Sequence, residues 1–180
     1  LTFAVVLTFS GCSKKTVETS TTNAENTEAV TEISADDAFT ERDLSGEYDE
    51  DGAAYITLDG GQISVQGDGV EVEGTTATIT EEGTYIVSGS LSNGQLQVNV
   101  GDEEKVQIVL DGVDISASST APIYVVNADK VFITLASDSV NTLATTGDFV
   151  QIDDNNIDGV IYAKDDITIN GSGALKIDSA

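Results

Sequence analysis

The feature that most constrains this chain is a series of short segments with alternating apolar and polar residues, which runs from about Tyr55 to Ala180. The segments are three to five residues long, are rich in Val, Ile and Thr, and are separated by Gly, Asn, Asp and Ser. Alternation of this kind is typical of half-buried β-strands, and the separating residues favour turns. Because the region has no convincing helical periodicity, the pattern predicts an all-β domain.

Several of these segments recur along the chain. Residues 105–110 (KVQIVL) return 25 residues later as 130–135 (KVFITL), and Ile123-Tyr124 returns as Ile161-Tyr162. Repeats of this length with several short strands each are typical of a parallel β-helix, in which equivalent residues of neighbouring coils stack about 4.8 Å apart. A single-stranded parallel β-helix is therefore the predicted architecture, and a β-sandwich with Greek-key connections is the alternative.

The composition excludes several classes of protein. The chain carries 32 acidic and 7 basic residues, a formal net charge of −25, no His and a single Cys. Such a chain is repelled by nucleic acid phosphates, and it has no residues for a zinc finger, a Ser-His-Asp triad or an internal disulfide framework. The composition instead favours the coordination of a cation by oxygen ligands, such as the binding of Ca²⁺ by Asp side chains in loops.

The N-terminal part predicts a lipid anchor and a tether. Residues 1–12 read LTFAVVLTFSGC, which is typical of the end of a secretory signal peptide, and Phe9-Ser10-Gly11-Cys12 is similar to a bacterial lipobox. The apolar run is too short to span a bilayer, so a lipid on Cys12 is predicted to hold the mature protein at the bacterial cell envelope, on the extracytoplasmic side. A buried apolar strand is the alternative. Residues 13–50, rich in Thr, Ser, Glu and Ala, predict a disordered acidic tether before the domain at 51–180.

The densest cluster of oxygen donors lies in the longest break between strand segments. The residues that we expect to ligate Ca²⁺ are Asp153, Asp154, Asn155, Asp158, Asp165 and Asp166. Together with backbone carbonyls they supply the about six to eight oxygen ligands that Ca²⁺ takes. The spacing matches neither an EF-hand nor a glycine-aspartate nonapeptide repeat. A solvated acidic loop is the alternative.

Three further residues are candidates for carbohydrate binding. Tyr124 and Tyr162 occupy equivalent positions of the repeat, so we expect them to lie one above the other. Facing outward they form a stacking strip for sugars, and facing inward they fill the core. Lys164 lies beside Asp165 and Asp166, where the alternatives are a salt bridge and a general base for a lyase. No catalytic residue is predicted.

Several blocks of the chain together resemble a known family. They include residues 78–89 (TITEEGTYIVSG), 109–115 (VLDGVDI) and 162–173 (YAKDDITINGSG). These blocks are similar to the carbohydrate-binding domain-containing family of bacterial envelope lipoproteins, whose founding member is a cellulose- and acid-sugar-binding protein. The resemblance implies a right-handed parallel β-helix, bound Ca²⁺ and binding of plant cell-wall polysaccharide, including uronic-acid polymers. It also implies a domain that is incomplete at its C-terminus, because members usually continue through further coils.

The function that follows is that of a cell-surface lipoprotein which binds polysaccharide through a calcium-loaded β-helix face. Residues 51–180 carry 21 acidic and 4 basic residues, a balance of −17, so an acidic polysaccharide requires a bridging cation. The alternatives are a structural or adhesive surface protein without sugar binding, and a calcium-dependent polysaccharide lyase. The protein is not expected to be an enzyme.

Overall fold

The computed structural model describes residues 39–180 of the chain. This part contains one short helix, α1 (Glu41–Leu44), and thirteen strands. The strands are β1 (Ala54–Gly60), β2 (Gln62–Gln66), β3 (Val70–Glu73), β4 (Thr76–Ile79), β5 (Gly83–Ser92), β6 (Gln95–Asn99), β7 (Lys105–Ala117), β8 (Ile123–Asn127), β9 (Lys130–Leu135), β10 (Val140–Thr145), β11 (Ile161–Ala163), β12 (Asp166–Gly171) and β13 (Ala174–Ser179). The predicted all-β class is confirmed. No helix among these residues is long and apolar enough to cross a membrane.

The strands form two mixed sheets. The larger sheet has eight strands in the order β12-β9-β7-β5-β1-β2, with β10 pairing with both β7 and β13. The smaller sheet has five strands in the order β11-β8-β6-β4-β3. Each sheet contains one antiparallel pair, β1 with β2 and β3 with β4, and the other pairs of the described strands are parallel.

The prediction of a right-handed single-stranded parallel β-helix is wrong, because the described strands form two mixed sheets and no closed barrel. Two tight hairpins account for the difference. Asp59 pairs with Gln62 across a two-residue turn that contains Gly60, whose φ is 64°. Glu73 pairs with Thr76 across a second such turn. Two-residue turns with a positive φ favour antiparallel pairing, so both sheets begin with an antiparallel edge.

The predicted stacking of repeats, in contrast, is confirmed by the strand register. Lys105 of β7 lies opposite Lys130 of β9, and the two strands stay in register from there. In the smaller sheet, Tyr124 of β8 lies opposite Tyr162 of β11. Sequence repeats therefore correspond to neighbouring parallel strands, which also differs from the antiparallel Greek-key alternative.

The core lies between the two sheets and is filled by the inward-facing residues of both. One cluster of buried side chains contains Ile56 and Ile108 from the larger sheet and Leu96 and Ile123 from the smaller one. Within the larger sheet, the neighbouring strands β1 and β5 approach each other closely at a glycine. Gly89 has a φ of 94°, and a Cβ atom there would lie 2.2 Å from the carbonyl oxygen of Leu58 on β1.

Residues 39–53, which we call the N-terminal strap, pack on the outer face of the larger sheet. The Asp43 carboxylate is 2.5 Å from Lys130 Nζ of β9, and Thr168 Oγ1 of β12 donates a hydrogen bond of 2.7 Å to it. The sequence assigned residues up to 50 to a tether, and the structure differs there because these contacts join residues far apart in the chain. Residues 13–38 and Cys12 lie outside the described residues.

Candidate functional site

The outer face of the smaller sheet carries a row of polar and aromatic side chains in register. Thr78 of β4 lies opposite Gln97 of β6, Gln97 lies opposite Tyr124 of β8, and Tyr124 lies opposite Tyr162 of β11. The neighbours of Tyr124 along β8 point into the core, so the row occupies the opposite face. We call Thr78, Gln97, Tyr124 and Tyr162 the polar strip.

The polar strip and the strands that carry it are uncharged. The strands β4 (TATI), β6 (QLQVN), β8 (IYVVN) and β11 (IYA) contain no acidic or basic residue. Charge returns only in the edge strand β3, which carries Glu71 and Glu73. These strands therefore differ from the chain as a whole, which has a net charge of −25.

Side-chain amides on this face are fixed by hydrogen bonds. Gln97 Nε2 donates to Gln95 Oε1 at 2.5 Å, and Gln95 Nε2 donates to the carbonyl of Ala121 at 2.6 Å and to Thr120 Oγ1 at 3.0 Å. These bonds orient Gln97, whose amide is half-buried, toward the middle of the strip. A pre-oriented amide loses less conformational entropy when it binds a ligand than a mobile one.

Tyr124 is buried under the loop that precedes β11. Its hydroxyl lies 2.5 Å from Asp153 Oδ2 and accepts a hydrogen bond of 2.6 Å from Asn155 Nδ2. Burial raises the pKa of Tyr124 to about 12. The hydrogen bond from Tyr124 holds the pKa of the Asp153 carboxyl below its usual value, so Asp153 is an ionised acceptor at neutral pH. Ile157 anchors the loop from the same small apolar cluster.

Tyr162 is the less buried aromatic ring of the strip. It contacts Tyr124 edge-on, with the ring centroids 5.7 Å apart and the planes at 65°. The predicted adjacency of the two tyrosines is therefore seen, and both lie on the outer face. Tyr124 is closed off by the loop, whereas the ring of Tyr162 is half-exposed and available to a ligand.

The residues expected to ligate Ca²⁺ are spread over this loop and the next turn. The Asp153 carboxylate is engaged by Tyr124 and by the backbone N–H of Asn155, and Asp165 accepts a hydrogen bond of 3.1 Å from the N–H of Ala128. The remaining ones, Asp154, Asp158 and Asp166, are exposed. Among residues 39–180, no three acidic, His or Cys side chains lie together in a way that would hold a metal ion.

Lys164 follows β11 and is exposed beside this loop. Its positive charge contributes to the lowered pKa of Asp153. The salt bridges of residues 39–180 are made by Lys105, Lys130 and Lys176. Lys164 is therefore left at the edge of the polar strip, within the part of the chain that the structure describes, without the salt bridge that was its alternative role.

Sequence reasoning missed Thr78 and Gln97, which complete the strip, and it placed Arg42 in the tether. The signal for Gln97 was present, because Gln95 and Gln97 alternate with core residues in β6. No comparable signal exists for Arg42, whose guanidinium lies 4.4 Å from the centre of the Phe132 ring.

The site is an uncharged strip on an all-β protein of strongly acidic composition, and comparison with known proteins identifies the family. The family model described as carbohydrate-binding domain-containing protein matches residues 73–180. A curated relative from Acetivibrio thermocellus, also described as a carbohydrate-binding domain-containing protein, is 38% identical over 138 residues, which are 75% of this chain and 48% of the relative. The chain belongs to the carbohydrate-binding domain-containing protein family.

A solved structure is also similar to this chain. It is that of the polysaccharide lyase-like protein from C. thermocellum, in a gadolinium derivative, with a TM-score of 0.63 and 38% sequence identity. The match covers 68% of this chain and 51% of that chain. This chain therefore spans about half the length of both proteins it matches.

Proposed function

We propose that the protein binds polysaccharide through the polar strip on the outer face of the smaller sheet. The observation that carries the proposal is the register of Thr78, Gln97, Tyr124 and Tyr162 across four parallel strands that bear no charge. Three steps between neighbouring strands give the strip a length of roughly 14 Å at about 4.8 Å each. A strip of that length suits several units of a linear polymer.

The chemistry of the strip suits a neutral, hydroxyl-rich ligand. The half-exposed ring of Tyr162 offers an apolar surface to the face of a sugar, and Gln97 and Thr78 offer donors and acceptors to its hydroxyl groups. Asp153 adds an ionised acceptor beside Tyr124. Because no charged group of the strip itself must be desolvated, binding does not incur the large penalty of burying a charge.

Co-sedimentation with insoluble cellulose tests this proposal. We expect Tyr162→Ala to weaken binding by about tenfold, which is a loss of about 1.4 kcal/mol. Tyr55→Ala is the matched control, because Tyr55 is an exposed tyrosine of β1 on the other sheet. Equal binding of the wild type and Tyr162→Ala, or an equal loss in both variants, would contradict a site on the smaller sheet.

Calcium dependence and the binding of uronic-acid polymers form a separate part of the proposal. A chain of net charge −25 repels an anionic polymer unless a divalent cation bridges the two. The same sedimentation assay on insoluble pectin, with added Ca²⁺ and with excess EDTA, tests the bridging cation. Pectin binding that persists in EDTA would refute it. Ultraviolet absorbance of unsaturated products in the same samples tests the lyase alternative.

We also propose that the protein is anchored in the bacterial envelope by a lipid on Cys12. The support is the lipobox-like sequence at residues 9–12, which lies outside the described residues. Expression in a bacterial host, followed by separation of membranes, tests this. The Cys12→Ala variant is expected to leave the membrane fraction, and an unchanged distribution would contradict the anchor.

A further inference from the structure

The outer face of the larger sheet repeats the composition of the polar strip. Its row consists of Thr84 on β5, Gln107 on β7, Phe132 on β9 and Thr168 on β12, each opposite the next in register. In both rows, successive strands contribute a threonine, a glutamine, an aromatic residue and then a residue with a hydroxyl group. The two sheets therefore present rows of matching chemistry on opposite outer faces.

The N-terminal strap covers this second row. Its backbone carbonyls accept hydrogen bonds from side chains of the sheet: Gln107 Nε2 donates to Glu47 at 3.1 Å, and Asn170 Nδ2 donates to Ser45 at 2.7 Å. The Arg42 guanidinium lies over the ring of Phe132. The strap thus supplies the acceptors and the ring contact that a sugar chain would supply.

The strap is held by polar contacts and by one small apolar cluster, in which its Tyr48 and Ala53 pack against Ile86 and Val109 of the sheet. Phe39 and Leu44, its large apolar residues near α1, are 51% and 67% exposed and point away from the sheet. The strongest attachment is Asp43, which is bonded to both Lys130 and Thr168. Contacts of this kind are exchangeable with those of a hydroxyl-rich ligand, whereas a large apolar interface would not be.

One end of the row is open. A surface depression of about 420 Å³ is lined by Arg42, Thr84 and Gln107, among others, where the strap leaves the sheet. A ligand therefore reaches the partly exposed Thr84 at the end of the row while the strap is still in place, whereas Gln107 is buried under the strap. Binding can then proceed by displacement of the strap from the rest of the row.

We propose that the outer face of the larger sheet is a second binding surface for a hydroxyl-rich glycan, and that residues 39–53 occupy it and inhibit binding there. This inference rests on the proposed function, since it assumes that the first row binds glycan. The apparent affinity of the second surface is its intrinsic affinity multiplied by the fraction of time for which the strap leaves the face uncovered.

Titration calorimetry of the full chain with a soluble cello-oligosaccharide tests the inference. In a Tyr162→Ala background the first site is weakened, and adding Asp43→Ala is expected to restore binding with at least about tenfold higher affinity than Tyr162→Ala alone. Adding Gln107→Ala to this double variant is expected to remove the restored binding. Circular dichroism and the urea midpoint of each variant verify that it is folded.

Limited trypsin digestion reports on the strap itself. Asp43 is buried in the wild type, so the bond after Arg42 is expected to resist trypsin there and to become cleavable in Asp43→Ala. A variant with a cleavable Arg42 bond and no restored binding overturns the second surface. Continued protection of that bond also overturns it, because Asp43 would then not hold the strap. A wild type that binds no glycan refutes the proposed function instead.

Discussion

Replacement of Asn141 is expected to destabilise the fold more than that of any exposed asparagine. The Asn141 side chain is fully buried at the start of β10. Its Oδ1 accepts hydrogen bonds from the N–H groups of Gly112 and Val113, both at 3.0 Å. Its Nδ2 donates to Ser139 Oγ at 2.8 Å and to the carbonyl of Ala174 at 3.2 Å. One amide thus joins the bend in β7 to β10 and β13.

The magnitude follows from these bonds. Asn141→Ala removes four hydrogen bonds, each of which contributes about 0.5–1.5 kcal/mol net. The N–H of Val113 stays buried without a partner, whereas that of the exposed Gly112 gains water. We therefore expect a loss of about 3–4 kcal/mol, a large part of the roughly 5–15 kcal/mol by which domains are stable.

Urea unfolding followed by circular dichroism measures this loss. With a slope of about 1–3 kcal/mol per M, Asn141→Ala is expected to lower the midpoint by about 1.5 M. Asn99→Ala, at an exposed position of β6, is the matched control and is expected to stay within about 0.5 kcal/mol of wild type. Equal midpoints for the two variants would refute the reasoning that the Asn141 amide joins the three strands.

Two further predictions concern the close approach of strands β1 and β5 and the ionisation of the site. Gly89→Ala places a Cβ atom 2.2 Å from the Leu58 carbonyl oxygen, at a residue with a positive φ. The urea midpoint is therefore expected to fall by the equivalent of about 2–3 kcal/mol. Gly61 has open space around it, so Gly61→Ala is expected to change the midpoint little. A similar midpoint for both would contradict this. The raised pKa of Tyr124, about 12 when folded against about 10 when unfolded, stabilises the fold fully below pH 10, and this contribution is lost as the pH rises toward 12. Ultraviolet titration of tyrosinate is expected to lose a late-titrating group in Tyr124→Phe, and an unchanged late phase would contradict the assignment.

The strands and their repeats were predictable because they depend on local patterns. The register between 105–110 and 130–135 follows from the matching sequences, and the structure pairs those segments. The two hairpins were also visible, since Gly60-Gly61 and Gly74-Thr75 are two-residue turn signals. The repeats favour parallel coils and the two turns favour antiparallel pairs, so a parallel β-helix expected from the repeats alone differs from the two mixed sheets.

The placement of residues 39–53 was not predictable from local composition. The segment shares its acidic, polar character with the residues before it, and its contacts join Asp43 to Thr168, which lies 125 residues away. The burial of Tyr124 depends in the same way on Asp153 and Asn155, which lie in a loop about 30 residues further along the chain and cover its hydroxyl. Periodicity assigns a side chain to a face of a strand, but it does not say what covers that face.

The position of the charges relates the acidic composition to the proposed binding surfaces. At the edge of the smaller sheet, Glu71 and Glu73 discourage the free edge of strand β3 from pairing with another chain. The central strands of that sheet have neighbours on both sides and need no such protection, so they are free to remain neutral. On the larger sheet, the buried carboxylate of Asp43 is paired with Lys130. The two outer faces therefore differ less in the chemistry of their rows than in access, because one row is covered by a loop at Tyr124 and partly exposed elsewhere, and the other lies under the strap.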